Sequence, residues 1–434
     1  MRLLINNYRF KIIALILFGL LLLIGFNLTS LHSLDNYDLV NLSINRFKNL
    51  TDNEIILKLL DFDIGSEKDD ENVIQNDNED DKRILLNKTQ YEEIFKQVET
   101  KQYNMVAKSK AKATFVTLAR NSELWGLVNS IRSVEDRFNR KFHYDWVFLN
   151  DDDFSEEFIE TTKSLCSGKV KYGKIPKEQW SYPDFIDIKK ADKARSRLKE
   201  LGVIYGDSES YRHMCRFESG FFWRHPLLDE YDWYWRVEPD IKFYCDIDYD
   251  VFKFMEDNNK VYGFTISLME YQRTIPSLWR ATKGFIRQHP QYLHKNNFLK
   301  FISDNKGKTY NLCHFWSNFE IASLNFFRSD KYREYFEYLD KTGGFFYERW
   351  GDAPIHSIAV SLFEDREKIH HFGDLGYTHD VFTSCPIDKE FRKKQRCSCN
   401  PQDDFDWTVG SCTWRYFELN RLKKPEGWQN YKDW

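Results

Sequence analysis

The chain has 434 residues, 42% of them hydrophobic and 30% charged, enough for one large or two ordinary domains with a substantial core. Its 63 basic and 67 acidic residues leave a net charge of −4, which argues against a nucleic-acid-binding protein, since those carry a basic face. An aromatic content of 17% suits both a large core and surfaces that stack on sugar rings.

Residues 1–11 carry Arg2, Arg9 and Lys11 without an acid, and residues 12–28 (IIALILFGLLLLIGFNL) form an uncharged apolar run. The run is at the short end of what crosses a hydrocarbon core. Asp35 and Asp38 follow it, so the positive-inside rule predicts a cytosolic tail and a lumenal remainder. A cleaved signal peptide shares the basic start, but the run is long for one and no small-x-small site follows, so a signal anchor is favoured. Residues 29–108 read as a stem. They hold three glycosylation sequons, beginning at Asn41, Asn49 and Asn87, and the stretch GSEKDDENVIQNDNEDDK, too acidic and too poor in apolar residues to order itself.

From residue 109 to 434 the composition is that of a folded domain. TFVTL (114–118), DWVFL (145–149) and residues 169–172 read as strands, with a helical pattern over LWGLVNSIRSVEDRF (124–138). Such alternation predicts an α/β domain with a largely parallel sheet, which binds ligands at the carboxyl ends of its strands. The ends at Arg120, Asp151 and Asp240 are therefore the places to look. The third of these closes DWYWRVEPDIKFYCDIDYD (232–250), where an aromatic strand runs into Glu238-Pro239-Asp240. Residues two apart on an extended chain face the same way, so Glu238 and Asp240 are expected to address one polar centre, such as an oxygen-ligated divalent cation. The alternative is a turn whose acids face solvent.

Four further segments are dense in polar and aromatic residues. SYRHMCRFESGFFWRHPLL (210–228) offers Tyr211, Arg212, His213, Arg216 and Arg224; it reads as a surface helix with solvated cations or as a diphosphate-binding element. In NLCHFWSNFEIASLNFF (311–327), Phe315, Phe319, Ala322 and Phe326 recur at helical spacing. Ser317 and Glu320 form a capping-box pattern there, so Glu320 is either a cap or a carboxylate aimed at a reacting sugar carbon. In GGFFYERWGDAPIHSIAV (343–360), Asp352 and Pro354 mark a helix start with Asp352 at the cap. HHFGDLGYTHD (370–380) contains His371 and His379, either of which could supply a nitrogen ligand beside carboxylates. All 8 cysteines lie at or beyond Cys166, which points to disulfides tying down the tail between Cys385 and Cys412; the spacing of Cys397 and Cys399 does not suit structural zinc. No Walker, dinucleotide or Gly-x-Ser-x-Gly motif appears.

ATFVTLARN, YDWVFLNDDDF, SYRHMCRFESGFF, YWRVEPDIKFYCDIDYDVF, NLCHFWSNFEIA, FFYERWGDAPIHSIA and GYTHD together resemble the fungal Golgi α-1,2-mannosyltransferases. The resemblance spans residue 109 to about 415. It implies a single glycosyltransferase-A-type domain with a mixed sheet and flanking helices, anchored in the Golgi membrane as a type II protein. It also implies Mn²⁺ as cofactor, GDP-mannose as donor and a mannose-terminated glycan as acceptor, with retention of configuration. On this resemblance Glu238 and His379 serve the metal, and Asp240 the nucleotide with Arg120, Asp151 and Arg216. Glu320 is the proposed nucleophile, Tyr211 lines the donor sugar, and Glu270 and Asp352 are acids around the acceptor or metal. A catalytically inactive glycan-binding protein on the same fold, or a transferase using another nucleotide sugar, are the alternatives.

Overall fold

The computed structural model describes residues 110–431. The tail, anchor and stem expected over residues 1–11, 12–28 and 29–108 lie outside them; among the described residues no helix is long and apolar enough to cross a membrane.

In chain order the strands are β1 (Ala113–Leu118), β2 (Asp145–Asn150), β3 (Val170–Lys174), β4 (Trp233–Arg236), β5 (Lys242–Phe243) and β6 (Tyr262–Phe264), then β7 (Ser267–Met269), β8 (Cys313–Phe315), β9 (Glu320–Ser323), β10 (Ile369–His371), β11 (Tyr377–His379) and β12 (Phe382–Ser384). The longer helices are α1 (Leu124–Val134), α2 (Glu156–Leu165), α3 (Ile188–Glu200), α4 (Glu209–Gly220), α5 (Leu278–Gln288), α6 (Asp330–Lys341) and α7 (Asp352–Phe363).

Seven strands build the main sheet in the order β10-β6-β9-β4-β1-β2-β3. β1 pairs in parallel with β2 and β4, β2 with β3, and β6 with β10. β9 alone runs antiparallel, between β4 and β6. The sheet is thus mixed. Both of its faces are buried, which is why its central strands read as continuous apolar runs. Phe115, Trp146 and Trp235 point into one core, while Val116, Val147 and Tyr234 point into the other. The first three pack as one aromatic group, with Phe115 4.4 Å from Trp146 and 5.3 Å from Trp235 between ring centroids. Small sheets flank the main one: β12-β11-β5, and the pair β7-β8.

Two expectations from sequence are corrected. The segment 311–327 is not one helix: β8, a turn, β9 and a short helix Leu324–Arg328 occupy it. Phe315, Ala322 and Phe326 join one core and Phe319 the other, so the apparent helical stripe is two strand faces read in register. The capping box therefore does not exist; the Ser317 hydroxyl donates to Asp352 (2.7 Å) and Glu320 opens a strand. Nor is 210–228 a solvated surface helix. α4 is sunk into the molecule, with Arg212, His213 and Arg216 all buried.

The disulfides reach further than the tail. Cys385–Cys399 is local, but Cys245–Cys397 and Cys313–Cys412 fasten the C-terminal segment to β5 and β8 across 152 and 99 residues. Cys166 and Cys215 are free thiols. Cross-links over loops this long act chiefly on the unfolded chain. Cys412→Ser is therefore expected to lower the unfolding free energy by roughly 3 kcal/mol in urea titration. Thiol labelling of the unfolded, unreduced protein should find only Cys166 and Cys215.

Candidate active site

Because β1, β2, β4, β6 and β10 are parallel, their carboxyl ends share one edge, and the antiparallel β9 brings its first residue, Glu320, to that same edge opposite Arg236. This is where an α/β sheet of this kind builds its site.

At its centre is Arg236, a guanidinium in the apolar strand WYWR and only 8% exposed. Its Nε donates to Glu238 (2.5 Å), its Nη1 donates to Asp352 (2.6 Å), and Glu218 lies 3.7 Å away. Burial alone would lower its pKa, but Glu218, Glu238, Asp352 and Glu320 hold it well above the ordinary value. Asp352 is the first residue of α7, after Gly351 at the cap, so it does not cap the helix. It spends its carboxylate on Arg236 and Ser317, and although burial opposes ionisation these partners keep it below the usual carboxylate range.

Glu320 is wholly buried. Its Oε2 accepts from the Tyr234 hydroxyl and its Oε1 from the Tyr262 hydroxyl, each at 2.5 Å, and Oε1 lies 2.7 Å from His356 Nδ1. His356 sits inside α7, whose twelve residues are all buried. Burial would lower its pKa, but contact with Glu320 outweighs that and raises it above the ordinary histidine value. Its Nε2 faces the Glu218 carbonyl at 3.2 Å. Burial pushes the Glu218 carboxyl up to about 8, outweighing Arg236, so it stays protonated at neutral pH.

Glu238 and Asp240 are not set side by side by an extended chain, although both lie close enough to His379 for their charges to act on it. Asp240 has a φ of 60°, which breaks the extended geometry that would align them. Glu238 turns inward to Arg236, whereas Asp240 is exposed and packs on the first turn of α1. Its backbone donates to the Gly126 carbonyl at 3.3 Å, and a Cβ on Gly126 would stand 2.7 Å from its carboxylate oxygens. A side chain at 126 thus cannot coexist with this turn, while the helix start favours the carboxylate there.

His379 ends β11, whose pairing with β5 (Thr378 opposite Lys242) lays it beside the 238–240 turn. Burial lowers its pKa against the field of Glu238, keeping the imidazole neutral, the form that binds a metal. Asn318 Nδ2 lies 3.0 Å from its Nδ1, and the Asn318 amide oxygen accepts from Tyr377 (3.1 Å). Reversing that amide would make it the acceptor for Nδ1–H and free Nε2 as a ligand. His371 is elsewhere, 3.7 Å from Asp406. Among the described residues no cluster of three or more His, Cys, Asp or Glu is arranged to hold a metal by itself. One imidazole and one or two carboxylates fit a divalent cation of the Mg²⁺ or Mn²⁺ kind, whose shell is completed by diphosphate oxygens and water.

Tyr211, Glu270 and Asp352 share a second wall. The Arg349 guanidinium lies 5.0 Å over the Tyr211 ring and 3.6 Å from Glu270. Arg120 and Asp151 stand exposed at the ends of β1 and β2, Arg120 touching Ser210. Arg216 is the residue that does not join: it is buried in a two-point pair with Asp340 through Nε and Nη2 (2.7 and 2.8 Å), its Nη1 buried as well.

Sequence reasoning missed Arg236, His356, Glu218, Tyr234, Tyr262 and Arg349. Two carried a signal: a charge inside WYWRV and a histidine inside the apolar run of α7 are buried polar residues in otherwise hydrophobic elements.

The cluster fixes a pH dependence. From about pH 4.5 to 8 the folded chain keeps a proton on Glu218 that the unfolded chain has lost, so stability falls as pH rises. His356 acts in the same sense, its contribution complete below the ordinary histidine range and lost as pH rises through its elevated folded value. Asp352 acts oppositely, its contribution lost as pH falls below the usual carboxylate range. The melting temperature is expected to peak at mildly acidic pH, and Glu218→Gln should flatten the decline towards pH 8. An unchanged slope in that variant would refute the assignment.

Comparisons with known proteins identify the family. The family described as glycolipid 2-alpha-mannosyltransferase matches residues 66–421, beginning inside the segment read as stem. A glycolipid 2-alpha-mannosyltransferase of Candida albicans is 67% identical over 327 residues, 75% of this chain and 71% of its own length. An alpha-1,2 mannosyltransferase of Saccharomyces cerevisiae is 62% identical over 320 residues, 74% of this chain and 81% of its own. Among solved structures, core-mannan synthase A of Aspergillus fumigatus in a Mn/GDP form is 41% identical with a TM-score of 0.68, covering 74% of this chain and 88% of that one. A mannosyltransferase of Saccharomyces cerevisiae in complex with GDP has a TM-score of 0.69 at 32% identity, covering 86% of this chain and 97% of that one. The chain belongs to the glycolipid 2-alpha-mannosyltransferase family.

Proposed function

We propose that the protein transfers mannose from GDP-mannose to the 2-hydroxyl of a mannose-terminated glycan, making an α-1,2 linkage with retention of configuration. The observation that carries this reading is the gathering of Glu238, Arg236, Asp352 and Glu320 at one sheet edge, with His379 beside it, in a chain 62–67% identical to named mannosyltransferases. Glu238 and His379 would hold a divalent cation, Mn²⁺ by analogy with the Mn/GDP relative, together with the donor's diphosphate. Bound there, the metal supplies positive charge to the departing diphosphate. Exposed Arg120 is the chain's own cation at the β1 end available for the same phosphates.

Departure of GDP builds positive charge on the mannose. Glu320 answers that charge with a carboxylate held in place by Tyr234, Tyr262 and His356. Hydrogen bonding at both oxygens and complete burial disfavour direct attack on the sugar, since the attacking oxygen would have to give up its partners. Retention then follows from attack by the acceptor on the face from which GDP leaves. Glu270, paired with Arg349, and Asp352, paired with Arg236, line the acceptor side. Residues 12–28 would anchor the enzyme as a type II protein of the Golgi membrane, its domain lumenal.

The test is transfer from GDP-mannose to methyl α-mannoside, with the product linkage read by NMR. Binding of GDP-mannose without turnover would instead identify an inactive glycan-binding protein, and turnover of another nucleotide sugar alone would refute the donor. Glu320→Gln should lower kcat by roughly 10²–10³ with little change in GDP affinity. Mass spectrometry of quenched reactions should find no mannosyl adduct on Glu320. His379→Ala should abolish the Mn²⁺-dependent part of the thermal stabilisation by GDP.

A further inference from the structure

The turn before α4 presents a tyrosine in a way its surroundings do not require. Tyr205 is 57% exposed, and its φ of 54° puts a bulky side chain in the left-handed region, where tyrosine is strained. The conformation is imposed from beneath. Arg212, wholly buried, donates to the carbonyls of Tyr205 (3.4 Å), Gly206 (3.0 Å), Ser208 (2.7 Å) and Glu348 (3.2 Å). Burial lowers its pKa to about 10, and the neighbouring Arg195 and Arg349 push the same way. A buried cation is thus spent on backbone carbonyls, an expensive way to shape a surface turn. Its fourth bond ties that turn to Glu348, the neighbour of Arg349.

The result is a layered stack. The Tyr205 ring lies parallel on Tyr211, with centroids 4.5 Å apart and planes 9° apart, and Arg349 lies 5.0 Å from the Tyr211 ring. Arg349 leads on to Glu270 at 3.6 Å. Among the described residues no other ring or cation covers Tyr205. An aromatic ring backed on one side and open on the other is a surface on which the C–H face of a pyranose stacks.

We propose that Tyr205 is an acceptor-specificity residue, a stacking platform for a pyranose ring of the acceptor glycan, held in place by Arg212. This rests on the mannosyltransferase reading and deepens it. Guanine could also stack on a tyrosine, and Ser210 beside Tyr211 touches Arg120 of the donor side; Tyr211 itself meets the Arg349–Glu270 wall, and the donor KM distinguishes the two occupants.

The test compares wild type with Tyr205→Ala, Tyr205→Phe and Tyr205→Asn, the last a ring-free variant that tolerates the left-handed backbone. With α-1,2-mannobiose as acceptor, loss of the ring is expected to raise the acceptor KM about tenfold while the GDP-mannose KM moves less than about twofold. Tyr205→Phe, which keeps the ring, should restore the wild-type acceptor KM. An unchanged acceptor KM in both ring-free variants, or a rise in the donor KM instead, would overturn the proposal. Calorimetric titration of α-1,2-mannobiose without donor separates the two readings. If wild type transfers no mannose, the mannosyltransferase reading fails. Weaker mannobiose binding by the ring-free variants would then still uphold the platform, and equal or absent binding in all four proteins would overturn it.

Discussion

A single buried guanidinium sets the terms for the rest of the site. Arg236 ends the central strand β4, buried at the carboxyl edge of the sheet, and a cation there is tolerated only with its charge met. Glu238 from its own strand and Asp352 from α7 meet it, with Glu218 from α4 close by. Each partner is thereby fixed in direction, and each arrives from a different part of the chain. Removing the guanidinium would leave several carboxylates in low dielectric without a counter-charge, so the charge organises the site more than it stabilises the fold.

The rest of the cluster follows from the same accounting. Four carboxylates, Glu218, Glu238, Glu320 and Asp352, meet only two cations, Arg236 and His356. The surplus is relieved by protonating Glu218, which of the three carboxylates gathered on Arg236 lies farthest from the guanidinium. The two tyrosine hydroxyls on Glu320 complete its coordination without adding charge. What remains is a rigid, slightly negative wall, suited to a reaction in which a sugar carbon becomes positive. Its strength comes from its inability to reorganise, which water in an open cleft would permit.

Precision in such a wall demands a scaffold that does not shift. The two-sided sheet provides this, with Phe115, Trp146 and Trp235 locked on one face and α7 wholly buried on the other. The long-range bridges hold the C-terminal segment, which carries no strand of the main sheet, against β5 and β8. Surface turns are then shaped from within, as Arg212 shapes residues 205–208 and as Gly126 makes room for Asp240.

Sequence by itself settled the α/β class and the strands at 114–118, 145–149 and 233–236, because apolar periodicity and turn residues are local signals. It also flagged Glu238, Glu320, Asp352 and His379, since acids and histidines at element ends are conspicuous. It misread 311–327 as a helix, because Phe315, Phe319 and Ala322 fit a helical period while facing opposite cores, and only pairing with β4 and β6 selects the strand. It left Arg216 available for phosphate because Asp340, 124 residues away, is invisible to spacing. It aligned Glu238 with Asp240 because the positive φ at Asp240 is set by packing on α1. Tertiary structure alone decided which charges meet, since a salt bridge depends on distance in space and on the dielectric around it, and a linear sequence specifies neither.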